Sequence, residues 1–262
     1  SETIDKQKLS FLLVPTSGLV MQEKLPKNAR LFDQAKYIDQ VQKAMKDYNF
    51  VDVRDTLMDH NDEYIYYKTD HHWTSAGACL AYDAWSERTG GEVEKEDGLA
   101  KNVVSDKFRG SLYSKILDAD SAYDEIWTYG LQKDEAFGSK DCTVTIDEKQ
   151  QLDSIYDDEK LQEKDKYAYF LGGNYGQVHI QNQKAASKAK GKNILIIKDS
   201  FANSFVPFVT QDYENIYMVD LRYYNGDMKA YLQEHEITDV LVLYNVSNFI
   251  SDRNIHKLTG GI

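Results

Sequence analysis

The sequence predicts an α/β domain built on a mostly parallel sheet. Near-continuous apolar runs, "ILII" within 192–201 and "VLVLY" within "TDVLVLYNVSNF", fit strands buried on both faces. Strand-like and helix-like segments alternate through the last third of the chain, the order that lays helices over a parallel sheet. No internal repeat or low-complexity tract interrupts the pattern.

Each element has its own signal. "LSFLLVPT" (9–16) reads as a buried strand closed by Pro15 and the turn "TSG". Across 28–48, Leu31, Ala35, Ile38 and Met45 share one helical face, with Val41 at its edge. Val51 and Val53 alternate with Asp52 and Arg54 as a strand over 49–57. A helix follows at 74–90, with Thr74 or Ser75 as its cap and Gly90-Gly91 as its stop. The stretch 92–166 is the least regular: the β-like pieces "EIWTYG" and "CTVTID" sit among acidic loops such as "EKEDG". It reads as an insertion or small subdomain within a single domain spanning 1–262. Beyond it, "KYAYFLGGN" (166–174) predicts a strand ending in glycines, and 192–201 a strand. "FANSFVPFVTQDY" then predicts a short helix, "NIYMVDLRYY" a strand, "GDMKAYLQEHE" a helix and "TDVLVLYNVSNF" a last strand.

Composition narrows the partners. With 31 Lys+Arg against 43 Asp+Glu the formal charge is −12, which argues against nucleic acid and anionic membrane surfaces. The 19 tyrosines suit either clefts for sugars or an aromatic-rich core, since each offers a flat apolar face and a hydroxyl. Cys79 and Cys142 are too few for a disulfide framework or a CxxC metal site. The chain opens "SETIDKQ" without a methionine, and an export signal or envelope anchor upstream is the expectation.

The chemistry concentrates in "KTDHHWTSAG", residues 68–77. In an extended segment residues i and i+2 point to one side, so Asp70 is placed to orient His72 while His71 points away. Serine is a weak nucleophile until a base takes its proton. The candidate partner is Ser200 in "KDSFANS", where a buried strand turns sharply into a helix whose first N–H groups suit an oxyanion. A second reading makes Asp199 or Ser200 merely the helix N-cap. His60, His235 and His256 read as solvated surface, and His179 as either cleft-lining or structural.

"DHHW" followed by Thr-Ser, then "FLGGNYG", "KDSFANSF" and "VDLRYYN", resembles the DHHW family of SGNH-hydrolase-like proteins, over about residues 9–250. These are relatives of the alginate O-acetylation proteins. The resemblance implies a three-layer SGNH-like fold with reordered motifs, Asp-His before Ser. It implies Ser200 as nucleophile, His72 as general base and Asp70 as its orienting carboxylate. "LGGN" (171–174) then supplies Gly173 and Asn174 to the oxyanion hole, or is simply a glycine turn. Arg222 either binds an anionic sugar group or pairs with Asp220 or Asp199, and Trp73 packs beneath the loop. The implied activity is acetyl transfer to an extracellular polysaccharide or oligosaccharide acceptor. It needs no cofactor or metal, and a membrane-bound partner would deliver the acetyl group outside the cytoplasm. Three alternatives stand beside it: a carbohydrate acetyl esterase with the same triad, a non-catalytic carbohydrate-binding or scaffold protein, and a metal site on Asp70, His71 and His72. The last suffers from the divergence expected of neighbouring histidine side chains.

Overall fold

A computed structural model describes residues 4–91, 98–117 and 120–260, and most of the acidic loop "EKEDG" lies outside them. In chain order its strands are β1 (Leu9–Val14), β2 (Asn49–Val51), β3 (Ala100–Phe108), β4 (Asp124–Gly130), β5 (Cys142–Ile146), β6 (Gln150–Leu152), β7 (Gln177–Asn182), β8 (Asn193–Lys198), β9 (Asn215–Val219) and β10 (Asp239–Asn245). Eight of them form one sheet in the order β2-β1-β10-β8-β9-β7-β5-β6, while β3 and β4 pair apart as an antiparallel ribbon. From β2 through β9 every pairing is parallel. Then β7, β5 and β6 add antiparallel strands at one edge. The middle segment 92–166 thus supplies both the separate ribbon and the strands β5 and β6 of the main sheet.

The parallel strands are apolar on both faces because helices cover both. Ile194 and Ile196 of β8 join Leu12, Met218 and Leu241 in one core, beneath α4 (Ser75–Thr89) and α6 (Val206–Val209). Leu195 and Ile197, one residue out of step, join Leu13, Val219 and Val242 in the other. That second core packs against α2 (Gln34–Ala44), α7 (Met228–Glu234) and α8 (Val246–Ser251). Side chains alternate across a strand, so one run of four aliphatics fills two cores. Among the described residues no helix is long and apolar enough to cross a membrane.

Several boundaries differ from the sequence expectation; the strands expected over 192–201 and in "NIYMVDLRYY" end early, at Lys198 and Val219. The helix predicted over 28–48 is confined to α2, because the Asp33 side chain accepts from the Lys36 N–H and starts the helix there. Leu31 lies outside it and is half exposed. The strand predicted over 49–57 stops at Val51: the Asp52 carboxylate accepts from the Arg54 N–H and guanidinium, turning the chain into α3 (Arg54–Met58). Residues 166–174 are no strand, since Lys166–Tyr169 is a 3₁₀ turn and Leu171, Gly172 and Gly173 all have positive φ. The last strand ends at Asn245, whose side chain accepts from Ser247 N–H and opens α8.

Candidate active site

The helix α4 fixes one half of the site. Thr74 caps it by accepting from Gly77 N–H, and Gly90, at φ +82°, ends it in the left-handed conformation. The residues just before that cap form a bend. Asp70 Oδ1 accepts the His72 backbone N–H at 3.0 Å and lies 2.5 Å from His72 Nδ1. The pair therefore faces one way because an aspartate turn folds the loop, in place of the extended geometry inferred from sequence. Asp70 Oδ2 accepts from Ser111 N–H at 2.7 Å, at the start of α5 (Ser111–Ile116).

The parallel sheet supplies the other half. At the carboxyl end of β8, Ser200 opens a 3₁₀ turn (Ser200–Asn203), and its Oγ lies 2.7 Å from His72 Nε2. A continuous chain of hydrogen bonds runs from Ser200 through His72 to Asp70, across 128 residues of sequence and in a buried setting. Asp199 is the cap: Oδ1 accepts from Phe201 N–H, and Oδ2 from Asn245 N–H and the Asn248 side chain. The Phe201 N–H is thereby occupied, which removes one of the helix-start donors expected for an oxyanion.

Electrostatics follow from burial and partners. Burial works to raise the Asp70 carboxyl, but the His72 hydrogen bond and charge, His71 and the Ser111 N–H together hold it below the ordinary carboxylate range. Burial keeps Asp199 above its ordinary value against its three hydrogen bonds. Burial, then the neighbouring His72, brings His71 down to about 4.

His71 does not point away. Its ring packs on that of His72 with centroids 3.9 Å apart, and Nδ1 lies 2.6 Å from Ser111 Oγ. Its donor atoms therefore converge with those of Asp70 and His72 to within 4.8 Å, contrary to the divergence expected of adjacent histidines. Both ring nitrogens of His72 are nevertheless engaged by Asp70 and Ser200, so an ion there would have to displace one of them.

Gly173 and Asn174 are brought against the turn that Ser200 opens. Asn203, in that turn, donates to Gly173 O at 3.2 Å and approaches Asn174 Oδ1 at 3.4 Å. The φ of +132° at Gly173, a value that side chains oppose, lets the backbone make this approach. Lys198, buried at the end of β8, donates to Asn174 Oδ1 at 3.0 Å and to Asn203 Oδ1 at 2.7 Å. With the amide oxygen held by an ammonium, the NH₂ end of the exposed Asn174 is the end left to face a ligand. Burial, opposed by Asp220 and Asp199, lowers the Lys198 ammonium to about 8. Arg222 grips Asp220 bidentately at 2.9 and 2.5 Å, the structural pairing of the two readings. His179 stands in β7, stacked on Tyr217 and bonded to Asn215, away from this cluster.

Tyr167 and Asp124 are supports that carry no sequence signal. Tyr167 stacks flat on the His72 imidazole, with centroids 3.8 Å and planes 8° apart, and its hydroxyl donates to Ser200 O. Nothing in "KYAYFLGGN" marks that tyrosine among 19. Asp124 of β4 accepts from Tyr64 OH, Lys68 N–H, Thr69 N–H and Thr69 Oγ, pinning the loop before Asp70. The indole N–H of the buried Trp73 reaches Phe201 O and Ser204 Oγ, tying the histidine loop to the serine turn from beneath.

The family model described as DHHW protein matches residues 20–219, and the chain belongs to that family. A DHHW family protein from Eubacterium siraeum superposes with a TM-score of 0.83 at 24% identity, over 100% of this chain and 85% of that one. Bacillus cereus PatB1, solved with a sulfonyl adduct, gives a TM-score of 0.76 at 22% identity over 98% and 87%. The O-acetyltransferase domain of Pseudomonas putida AlgJ gives 0.54 at 12% identity over 95% and 78%. At these identities the likeness is one of fold. No curated protein sequence matches the chain.

Proposed function

We propose that the protein is a serine-dependent acyltransferase that O-acetylates an extracellular polysaccharide through an acetyl-Ser200 intermediate. The observation that carries this is the unbroken chain Ser200 Oγ, His72 Nε2, His72 Nδ1, Asp70 Oδ1, at 2.7 and 2.5 Å. His72 takes the Ser200 proton as Oγ attacks the acetyl carbonyl of a donor ester. Asp70 holds the imidazole tautomer and stabilises the imidazolium. Charge on the carbonyl oxygen is met by the Asn174 amide and the Gly173 backbone. As the C–O bond of the donor breaks, the imidazolium returns its proton to the leaving alkoxide. A sugar hydroxyl then gives its proton to His72 and attacks the acetyl-serine, and the proton passes back to Ser200 Oγ. Water in place of the sugar makes the same site an acetyl esterase.

The naming of AlgJ's domain as an O-acetyltransferase and the resemblance to alginate O-acetylation proteins support acetyl as the group and a glycan as the acceptor. The same reading places the protein outside the cytoplasm, supplied with acetyl groups by a membrane-bound partner. The test is acetyl release from a chromogenic acetyl ester, with intact-mass spectrometry, on wild type, Ser200→Ala and His72→Ala. Turnover and an acetyl-sized mass increase on wild type, both lost in the variants, is the expected result. Folded wild type that neither turns over nor acquires the adduct would overturn the reading in favour of a non-catalytic carbohydrate-binding protein.

A further inference from the structure

At the carboxyl edge of the sheet, β1 runs through Pro15 into α1 (Ser17–Val20) and β10 runs through Asn245 into α8, while β8 ends in a lysine. Lys198 is 1% exposed, nearly as buried as the four aliphatic residues before it. Taking an ammonium out of water is costly unless an opposite charge answers it. Asp220 and Asp199 lie near enough to act on this one, yet among the described residues it forms an ion pair with neither. Both carboxylates are engaged elsewhere, Asp220 by Arg222, and Asp199 by Phe201 N–H, Asn245 N–H and the Asn248 side chain. The ammonium bonds two amide oxygens instead, Asn174 Oδ1 at 3.0 Å and Asn203 Oδ1 at 2.7 Å. A structural ion pair therefore does not account for it.

The charge sets the sense of this network. An ammonium has hydrogens to give and no acceptor, so both asparagines must turn their oxygens to it and their NH₂ groups away. For Asn203 that sends Nδ2 to Gly173 O at 3.2 Å. For the exposed Asn174 it leaves the NH₂ group without an acceptor among the described residues. A Cβ at Gly173 would meet nothing within 4 Å, so that side of the loop has room for an acyl group.

Resting on the acyl-transfer reading, we propose that Lys198 is a positioning residue of the oxyanion hole: its ammonium locks Asn203 and Asn174 in the orientation that aims the Asn174 NH₂ group at the acyl oxygen on Ser200. The neutral amine carries a lone pair and accepts as well as donates, so loss of the proton frees both amides to turn over. The hole is then set while Lys198 is charged and released as it deprotonates. Burial, opposed by Asp220 and Asp199, brings that point down to about 8. Arg222 stays cationic, since its hydrogen bonds to Asp220 hold it well above its ordinary value. Tyr167 and Tyr244 face the same aspartates and stay neutral, because burial raises both phenols well above theirs.

The test is kcat for a chromogenic acetyl ester as a function of pH, in wild type, Asn174→Ala, Lys198→Met and the double variant. Wild-type kcat should fall about tenfold per pH unit above about pH 8. Asn174→Ala should lose on the order of 10²-fold at about pH 7, the worth of one oxyanion donor. It should also lose the alkaline fall, since no amide remains to turn. It retains His72, which also faces Asp199, so an alkaline change that belongs to His72 would persist in it. Lys198→Met should be equally low and equally level, and the double variant no lower than either single one. If Lys198→Met does not fold, the wild-type and Asn174→Ala profiles decide the matter alone. A wild type whose kcat stays level to about pH 9.5 overturns the assignment. So does an Asn174→Ala protein that keeps the alkaline fall, or a double variant whose losses multiply. Wild type without turnover or acetyl adduct overturns the acyl-transfer reading as well, whereas turnover with a level profile overturns this one alone.

Discussion

Asp70 does three things with two oxygens: it closes the bend through His72 N–H, orients the imidazole through Nδ1, and accepts from Ser111 N–H. Asp70→Asn keeps the shape but presents an amide to the ring, which favours the wrong tautomer. A loss on the order of 10³–10⁴-fold in kcat for acetyl ester turnover is expected, with KM little changed. His71 offers a pH signature. Its folded value is about 4 against an ordinary 6.5, so between these values the unfolded chain binds a proton that the folded chain refuses. Stability therefore rises with pH across that window and is lost as pH falls from 6.5 towards 4. Urea unfolding at about pH 7 and about pH 4.5 should show wild type losing about 1 kcal/mol more than His71→Gln, a figure reduced for the ring's partial exposure. An equal loss in both proteins would remove His71 from the account.

The elements that hold the site come from distant parts of the chain, and their junctions are where single changes should tell. Asp124 on β4 satisfies two backbone N–H groups and two hydroxyls of the loop that leads to Asp70. Asp124→Ala leaves buried donors unmet and should lower the unfolding free energy by at least about 2 kcal/mol in urea titration. Activity falls in step, as the loop carries Asp70 and His72. Gly110, just ahead of α5, is packed so tightly that a Cβ there would meet Asp70 Oδ2 at 2.3 Å and its Cβ at 2.4 Å. The backbone φ of −92° suits alanine, so strain is steric alone. Gly110→Ala should push the carboxylate off His72, costing kcat more than stability. An active Gly110→Ala protein would show that Asp70 has room the structure denies it.

At the scale of the molecule, the sheet separates two cores that share its strands. Ile196 and Ile197, neighbours in sequence, belong to different cores, and both are fully buried. Either one changed to alanine is expected to cost about 2–5 kcal/mol of stability. Ile197→Ala lies one residue nearer the Lys198–Asp199–Ser200 turn. A kcat reduced further by Ile197→Ala than by Ile196→Ala, at matched destabilisation, would mark the second core as the platform of the Ser200 turn. The formal charge of −12 belongs to this scale too, since it sets the long-range field and does not bear on the fold.

The sequence by itself determined what depends on near neighbours. Alternation and apolar runs located β1, β8, β9 and β10, because strand burial repeats every second residue whatever lies opposite. Thr74 and Gly90 bounded α4, because caps act within one turn. Asp70 with His72, Ser200 at a strand end and Arg222 beside Asp220 were all legible for the same reason. Local reading failed where a side chain redirected its own backbone, as Asp52 and Asp33 do. Only the tertiary structure decided that Ser200 meets His72, that Tyr167 stacks on the imidazole, and that the middle segment furnishes Asp124 and Ser111. Those contacts span tens to more than a hundred residues. No propensity encodes them, because they exist only after the two cores close on the sheet and fix which chain ends share its carboxyl edge.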